Sequence, residues 1–331
     1  MEDVLYEAHP RMFRSNPIAF IIFVMIFLLF SLPSAGQRSV GNPNHSTNEL
    51  FDSIDVHPSK WVGMEFVLLF RDPNLQFFGY DLYRHPEMMG YFGNLDEEFE
   101  KIGSKNILYK PYENKTLEVL AVEEEMIGNY EIKFKVKDTG EHLYGKTYMF
   151  GFDDIAPVID KLRATSRWLN TTIYPFDSFL YTYDEGSHSY GKLNIKKLSP
   201  CKVIEIWWGT ISKGPLWLIV ETNEGEQGFI PTAFSYTAVN LKQWNAGMRP
   251  WETAFFEKDP RSTFDWPEPM WTLIEDSKVK IGMNENQVLL SWGNPKNINE
   301  DIYENETRQQ WVYDDQYLYF QNGSLVSIQS N

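Results

Sequence analysis

The C-terminal stretch 278–329 carries the local signals that most limit how this chain can fold. Asn284 stands three residues before Gln287, which is the spacing of a helix capping box. The apolar residues that follow share one helical face, and the Gly-Asn-Pro sequence at 293–295 ends such a helix. Two extended runs then flank Asn322-Gly323, the strongest short hairpin signal. The stretch therefore predicts one short helix packed on an antiparallel sheet.

The same stretch resembles the SmpA/OmlA (BamE-type) family, small bacterial envelope modules that help to assemble outer-membrane proteins. The matching residues are Ile281-Gly282-Met283, Gln287-Val288, Gly293-Asn294-Pro295, Gln310-Trp311-Val312-Tyr313, Leu318-Tyr319-Phe320 and Asn322-Gly323. The resemblance implies a helix with a three-stranded sheet and a role in binding other proteins.

Residues 18–32 form an almost uninterrupted apolar run near the N-terminus. A helix of this length spans roughly 22 Å, which is short of the roughly 30 Å hydrocarbon core of a bilayer. Arg11 and Arg14 precede the run and Arg38 follows it, a weak positive-inside bias that places the rest of the chain outside the cytoplasm. We predict an uncleaved, single-pass anchor in the inner membrane, with a periplasmic bulk. The alternative is secretion after signal-peptide cleavage.

Composition and turn signals divide the chain into six segments. They are an N-terminal tail with the membrane or signal segment (1–36), a linker (37–58), a first β-rich module (59–152), a connecting helix with a second β-rich module (153–240), a linker (241–276) and the SmpA/OmlA-like module (277–331). The predicted fold class is mainly β with few helices (α+β). It comprises an N-terminal membrane helix, two tandem small β-barrel-like modules and a C-terminal helix-on-antiparallel-sheet module.

Two stretches follow one plan, which predicts an internal repeat. One begins at Trp61 and the other at Trp168, and each continues with an extended run, a long loop, two strands, a glycine turn and another strand. In the first stretch, residues 131–137 alternate strictly, which predicts apolar side chains facing inward and lysines facing water. A connecting helix is predicted from the helical spacing of Ile155, Val158, Ile159 and Leu162.

The second module resembles a bacterial Src-homology-3-like barrel. The resemblance is carried by Val203-Ile204-Glu205-Ile206, Trp217-Leu218-Ile219-Val220 and Gly228-Phe229-Ile230-Pro231. It implies binding of a peptide or a cell-wall glycan through an aromatic groove, with Trp207, Trp208, Trp217 and Tyr236 as candidates. Each of these could instead pack in the core, and for Trp217 the core is favoured. Because side chains alternate along a strand, one residue of the pair Trp207-Trp208 must face outward.

The charged and nucleophilic residues predict no catalytic centre. A net charge of −16 argues against nucleic acid as a partner. Cys201 is the single cysteine, opens an apolar run and is predicted to be a quiet, partly buried thiol. The histidines are scattered, and the clusters of acidic residues fall in turns or on solvated faces. We therefore expect no catalytic residues, no cofactor and no metal.

These features together predict a membrane-anchored, extracytoplasmic binding or scaffold protein of the bacterial envelope. An accessory role in outer-membrane or cell-wall assembly fits this prediction. The expected partners are the membrane, through residues 18–32, and envelope proteins or cell-wall polymer. The alternative is a hydrolase of cell-wall polymer whose carboxylates come from separate loops, since catalytic pairs are spatial. A third possibility is that the C-terminal module regulates something near the anchor.

Overall fold

A computed structural model describes residues 58–86, 106–126, 129–148, 154–184, 186–235, 250–303 and 306–330. Strands make up 46% of the structure and helices are few, so the predicted mainly β class is confirmed. The predicted membrane segment 18–32 lies outside the described residues. Within the described ranges, no helix is both long enough and apolar enough to cross a membrane.

The first sheet has five antiparallel strands in the order β4-β3-β2-β1-β5. These are β1 (Glu65–Leu68), β2 (Thr116–Met126), β3 (Asn129–Val136), β4 (His142–Tyr148) and β5 (Ile155–Pro157), with a short helix α1 (Tyr109–Tyr112) before β2. The alternation predicted for β3 is confirmed, because Ile132, Phe134 and Val136 are buried while the residues between them are partly exposed. One face of the sheet thus forms a hydrophobic core, and the other is largely polar.

The second sheet has seven strands in the order β12-β6-β9-β10-β11-β7-β8. These are β6 (Thr172–Pro175), β7 (Phe179–Asp184), β8 (Ser189–Asn194), β9 (Cys201–Thr210), β10 (Gly214–Thr222), β11 (Gln227–Thr232) and β12 (Phe255–Phe256). Its core contains Val203, Leu218 and Val220, together with Trp168 from the preceding helix. One of the sheets in the molecule curls into half a barrel.

The connecting helix exists, but it begins later than the apolar spacing predicted. Helix α2 spans Val158–Trp168, and Ile155 belongs to strand β5 instead. Leu162 is 60% exposed, whereas Asp160, Ala164 and Trp168 are the buried residues of the helix. The error arose because β5 is a three-residue apolar strand that runs directly into the helix, so its apolar residues imitate helical spacing. The first sheet accordingly continues past the predicted module boundary at residue 152.

The two sheets share one topology. Read from one edge, β5-β1-β2-β3-β4 in the first sheet has the same order and directions as β12-β6-β9-β10-β11 in the second. The match continues at the far edge. Tyr83 bridges to Tyr144 on β4 just as Tyr181 on β7 bridges to Phe229 on β11.

The match extends to individual hydrogen bonds. Two residues after each leading tryptophan, Gly63 and Asn170 have positive φ angles of 82° and 65°. Their backbone N–H groups donate to the carbonyl oxygens of Val119 (2.8 Å) and Val203 (2.9 Å), respectively. Immediately after these two valines, β2 and β9 each skip one residue in the register with the next strand. An internal repeat would produce this shared register. The register assigns to each paired position of the first sheet an equivalent position in the second sheet.

The C-terminal module follows its local signals closely. Helix α4 (Glu285–Trp292) begins with a complete capping box, in which Asn284 and Gln287 exchange side-chain-to-backbone hydrogen bonds of 2.9 Å each. Gly293 ends the helix with a φ of 79°. Asn322 and Gly323, with φ angles of 49° and 76°, form the predicted hairpin turn.

The C-terminal sheet has four strands where the family resemblance implies three. They run in the order β13 (Asn297–Tyr303), β14 (Glu306–Val312), β15 (Gln316–Gln321) and β16 (Ser324–Ser330). Strand β13 was missed because its sequence is polar and acidic. It lies at the sheet edge, where polar side chains are tolerated on both faces.

The described part of the predicted linker 241–276 is ordered structure. Strand β12 completes the second sheet, and helix α3 (Glu268–Glu275) packs on α4. Phe256, Trp271, Ile274 and Leu290 form a small cluster that joins the second sheet to the C-terminal module. Aromatic burial at this junction therefore gives the segment a fixed conformation.

Candidate functional site

A cleft of about 570 Å³ lies between the first and second sheets, and we call it the aromatic cleft. The residues that line it from the first-sheet side include Phe70, Arg71, Asp72, Gln76, Tyr109 and Glu113. Those from the second sheet include Tyr183, His188, Trp207, Trp208, Thr210 and Trp217. The two sheets are held together beside the cleft by Val67, Leu69 and Ala156, which pack against Trp208 and Ile211.

Trp217 forms the floor of the aromatic cleft. It is only 5% exposed, and its ring stacks on Phe229 with centroids 4.2 Å apart. Tyr183 and Tyr190, which pair across the β7–β8 hairpin, lie 5.9 Å and 6.0 Å from the same indole. The favoured burial of Trp217 is therefore confirmed. The ring is buried, but it packs on the cleft face of the sheet and not among the core residues of the opposite face.

Trp207 is the outward-facing member of the tryptophan pair. It lies directly opposite Trp217 on the neighbouring strand and is 44% exposed, and its Nε1 donates to Glu205 at 2.5 Å. Trp208 also lines the cleft but is half-buried, and Lys161 Nζ lies 5.3 Å from its ring centroid. Tyr236, the fourth candidate, lies outside the described residues. The structure thus brings three of the four candidates to one cleft.

The tyrosines of the β7–β8 hairpin were missed by the sequence reading, although a signal for them was present. In β7, aromatic residues occupy positions 179, 181 and 183, while Leu180 between them is fully buried. A strand that carries aromatics on one face and a fully buried leucine on the other has two packing faces. Arg71, Asp72 and Tyr109 carried no comparable signal, because they reach the cleft from a distant part of the chain.

The polar groups of the first-sheet wall are fixed by hydrogen bonds. Asp72 accepts hydrogen bonds from Tyr190 (2.7 Å) and from Ser212, and so connects the two sheets. Glu113 accepts from Lys110 (2.7 Å) and Tyr109 (2.8 Å). Burial works to raise the pKa of Glu113, but these hydrogen bonds outweigh burial and hold the pKa below its ordinary value. Glu113 is therefore ionised near neutral pH.

The charges that line the cleft balance. Two lining residues are basic, Arg71 and Lys110, and two are acidic, Asp72 and Glu113. Arg71 is further paired with Asp154, which is almost fully buried and has its pKa raised by that burial. A ligand with a large charge of either sign therefore gains little from this cleft, and an uncharged ligand suits it better.

Two N–H donors of the cleft have no acceptor among the described residues. They are Trp217 Nε1 and Arg71 Nε, and both atoms are buried. Buried donors are nearly always hydrogen-bonded, and leaving one unpaired costs about 1–3 kcal/mol. Both belong to residues that line the cleft.

The first sheet provides an internal comparison for the cleft floor. By the shared register, the cross-strand pair Trp207–Trp217 is equivalent to the pair Glu123–Glu131 on β2 and β3. Glu123 is exposed to solvent. The same framework thus forms with carboxylates at these positions, so the fold itself does not require the two tryptophans.

Comparisons with known proteins identify no relative. No family model matches the chain, and no curated protein or solved structure shows significant similarity to it.

Neither a metal-ligand cluster nor an accessible cysteine thiol occurs among the described residues. They contain no group of three or more His, Cys, Asp or Glu side chains placed to hold a metal ion. Cys201 is fully buried, and burial raises the pKa of its thiol to about 11, which keeps it in the unreactive protonated form. The thiol is thus more deeply buried than the sequence predicted.

Proposed function

We propose that this chain is a non-catalytic binding protein of the bacterial envelope, and that the aromatic cleft holds an uncharged segment of a partner. Residues 18–32 anchor it in the inner membrane, and the three β modules lie outside the cytoplasm. The C-terminal SmpA/OmlA-like module and the tandem barrel-like modules serve as binding scaffolds. The observation that carries the proposal is the tryptophan pair Trp207–Trp217 in a charge-balanced cleft.

A polypeptide segment of an envelope protein is the favoured ligand. Its backbone is polar but uncharged, which suits a charge-balanced cleft, and its apolar side chains fit between aromatic rings. Aromatic residues at the centre of a cleft commonly dominate binding, so truncating one often costs 2 kcal/mol or more. Cell-wall polymer is the other candidate partner, since its sugars also present uncharged oxygens.

Site-specific photocrosslinking from the full-length, membrane-embedded protein tests the proposal. A photoreactive phenylalanine analogue replaces Trp207 in one variant and Glu123, the equivalent position on the first sheet, in the matched control. We expect a discrete crosslinked product from position 207 that is absent from position 123. Treatment of the product with protease or with muramidase then tells a protein partner from wall polymer. The same products from both positions, or none from position 207, would refute a ligand in the cleft.

The hydrolase alternative is supported by one observation. Asp72 and Glu113 come from different segments and both line the aromatic cleft. However, a glycosidase needs one carboxylic acid that stays protonated, and the lowered pKa of Glu113 makes it unsuited to that role. We therefore expect no turnover when the full-length protein is incubated with cell-wall polymer. Turnover that disappears in both Asp72→Asn and Glu113→Gln would establish the hydrolase instead.

A further inference from the structure

Two adjacent phenylalanines project from the first module beside the aromatic cleft. Phe77 and Phe78 lie in a single 3-10 turn, Gln76–Phe78, and are 86% and 59% exposed. They contact each other edge to face, with ring centroids 5.2 Å apart. Leu108, which is 58% exposed, adjoins the turn, because its Cα lies 3.5 Å from where a Cβ on Gly79 would be. We call these three residues the Phe tip.

The Phe tip is held in a fixed position. Gly79 follows the turn with a φ of 64°, and a Cβ there would collide with the carbonyl oxygen of Ile107. The close approach allows Tyr80 N–H to donate to Ile107 O at 3.0 Å and Ile107 N–H to donate to Leu82 O at 2.9 Å. The exposed rings are thus presented by hydrogen-bonded backbone and not by a loose loop.

The size and chemistry of the Phe tip fit a lipid surface better than a protein partner. Three side chains cannot bury the roughly 1,000 Å² that a stable protein interface needs. Isolated apolar side chains of this kind suit the boundary between lipid headgroups and acyl chains, which lies roughly 5–10 Å deep. The adjacent Lys110 already pairs with Glu113 at 2.7 Å, and the chain has a net charge of −16, so attraction to anionic lipid is not the driving force.

We propose that the Phe tip inserts into the lipid–water interface of the membrane that holds the protein. This inference rests on the proposed anchoring through residues 18–32. Burying a phenylalanine ring favours the bound state by roughly tenfold or more, so two rings and a leucine bind weakly by themselves. A chain that is already tethered meets the bilayer at high effective concentration, and weak insertion then suffices to orient the first module.

The test uses the full-length chain reconstituted in phosphatidylcholine vesicles. Because Cys201 is fully buried, a cysteine introduced at the exposed Asn74 can be labelled selectively with an environment-sensitive dye. We expect the dye at position 74 to be blue-shifted and quenched by spin-labelled lipids. The same dye at the exposed Asn223, in a turn of the second sheet, should remain in water.

The double variant Phe77→Ser/Phe78→Ser should lose most of the quenching at position 74. Ile302→Ser, which changes a lone apolar residue that is 74% exposed on β13, should not.

The outcomes separate this inference from the proposed function. A chain that alkaline carbonate extracts from the vesicles is not anchored, and both proposals then fail. If the chain stays embedded but the dye at position 74 remains unquenched, only the proposed insertion of the Phe tip is refuted. Quenching that survives Phe77→Ser/Phe78→Ser, or that requires anionic lipid, also overturns it.

Discussion

Asp160 shows how a single buried carboxylate can make the stability of this protein depend on pH. It lies on the buried face of α2, and its Oδ2 accepts hydrogen bonds from the backbone N–H (3.2 Å) and the hydroxyl (2.6 Å) of Ser235. Burial raises its pKa from 3.8 to about 6, against the opposing effect of these hydrogen bonds. The folded state therefore holds this proton more tightly than the unfolded state does.

The sign of the resulting pH dependence follows from linkage. Between about pH 4 and pH 6 the folded protein binds more protons at this site, so the free energy of unfolding falls as the pH rises. The fall amounts to at most about 3 kcal/mol and is complete above pH 6. Asp160→Asn should remove it, so that the variant gains stability relative to wild type as the pH rises from 4 to 7.

Chemical denaturation across this pH range measures the effect. Asp301→Asn, on the exposed β13, serves as the control for loss of one negative charge. If the difference between Asp160→Asn and wild type does not change with pH, Asp160 does not titrate as described.

At the scale of elements, the close approach of β9 and β10 depends on Gly209. A Cβ at this position would lie 2.6 Å from Trp217 Nε1 and would collide with the carbonyl oxygen of Gly214. The backbone angle of Gly209 is ordinary, so the constraint is space and not conformational freedom. The glycine therefore leaves the space that the indole of Trp217 occupies beside the neighbouring strand.

Gly209→Ala should destabilise the protein by about 1–3 kcal/mol, the usual cost of overpacking, and should displace Trp217. Urea unfolding gives the first quantity, and near-ultraviolet circular dichroism reports the change at the aromatic stack. In the control Gly186→Ala, the new Cβ would meet only the Asp184 carboxylate at 3.4 Å, and both signals should stay close to wild type. Equal effects of the two substitutions would contradict the role of Gly209.

Elements with local signals were predictable from the sequence, and elements defined by distant contacts were not. The capping box of α4, the Asn322-Gly323 turn and the alternation of β3 all depend on neighbouring residues, and all are present. Strand β5 was taken for helix because three residues are too few to show a period. Strand β13 was missed because edge strands do not need an apolar face. The first-sheet wall of the cleft arises only when two sheets pack, which no local pattern encodes.

At the scale of the whole molecule, Lys197 links the second sheet to the C-terminal module. Its Nζ donates to the carbonyl oxygens of Leu290 (3.0 Å) and Ser291 (2.6 Å) in the last turn of α4. A cation at this end of a helix also complements the helix dipole. Burial lowers the pKa of Lys197, and the nearby Asp177 partly offsets this effect. The amine can donate both hydrogen bonds whether or not it carries a charge.

Lys197→Met should loosen the C-terminal module without disturbing the first sheet. Hydrogen bonds from charged groups contribute about 1.5–3 kcal/mol, so amide exchange in α4 should accelerate by roughly tenfold or more. Hydrogen–deuterium exchange read by mass spectrometry resolves the two regions. Lys202→Met, an exposed lysine on β9, is the control. A uniform acceleration throughout the chain, or none in α4, would show that Lys197 is not the link.

The shared register of the two sheets has a practical consequence for redesign. The first sheet has the same strand order and register as the framework beneath Trp207 and Trp217, with Glu123 and Glu131 at the equivalent positions. Glu123→Trp and Glu131→Trp together would transplant the floor onto a surface that lacks the opposing wall. The same chain thus offers one sheet with the opposing wall and one sheet onto which the ring pair can be introduced. Comparing ligand binding at the two sheets separates the contribution of the rings from that of the wall.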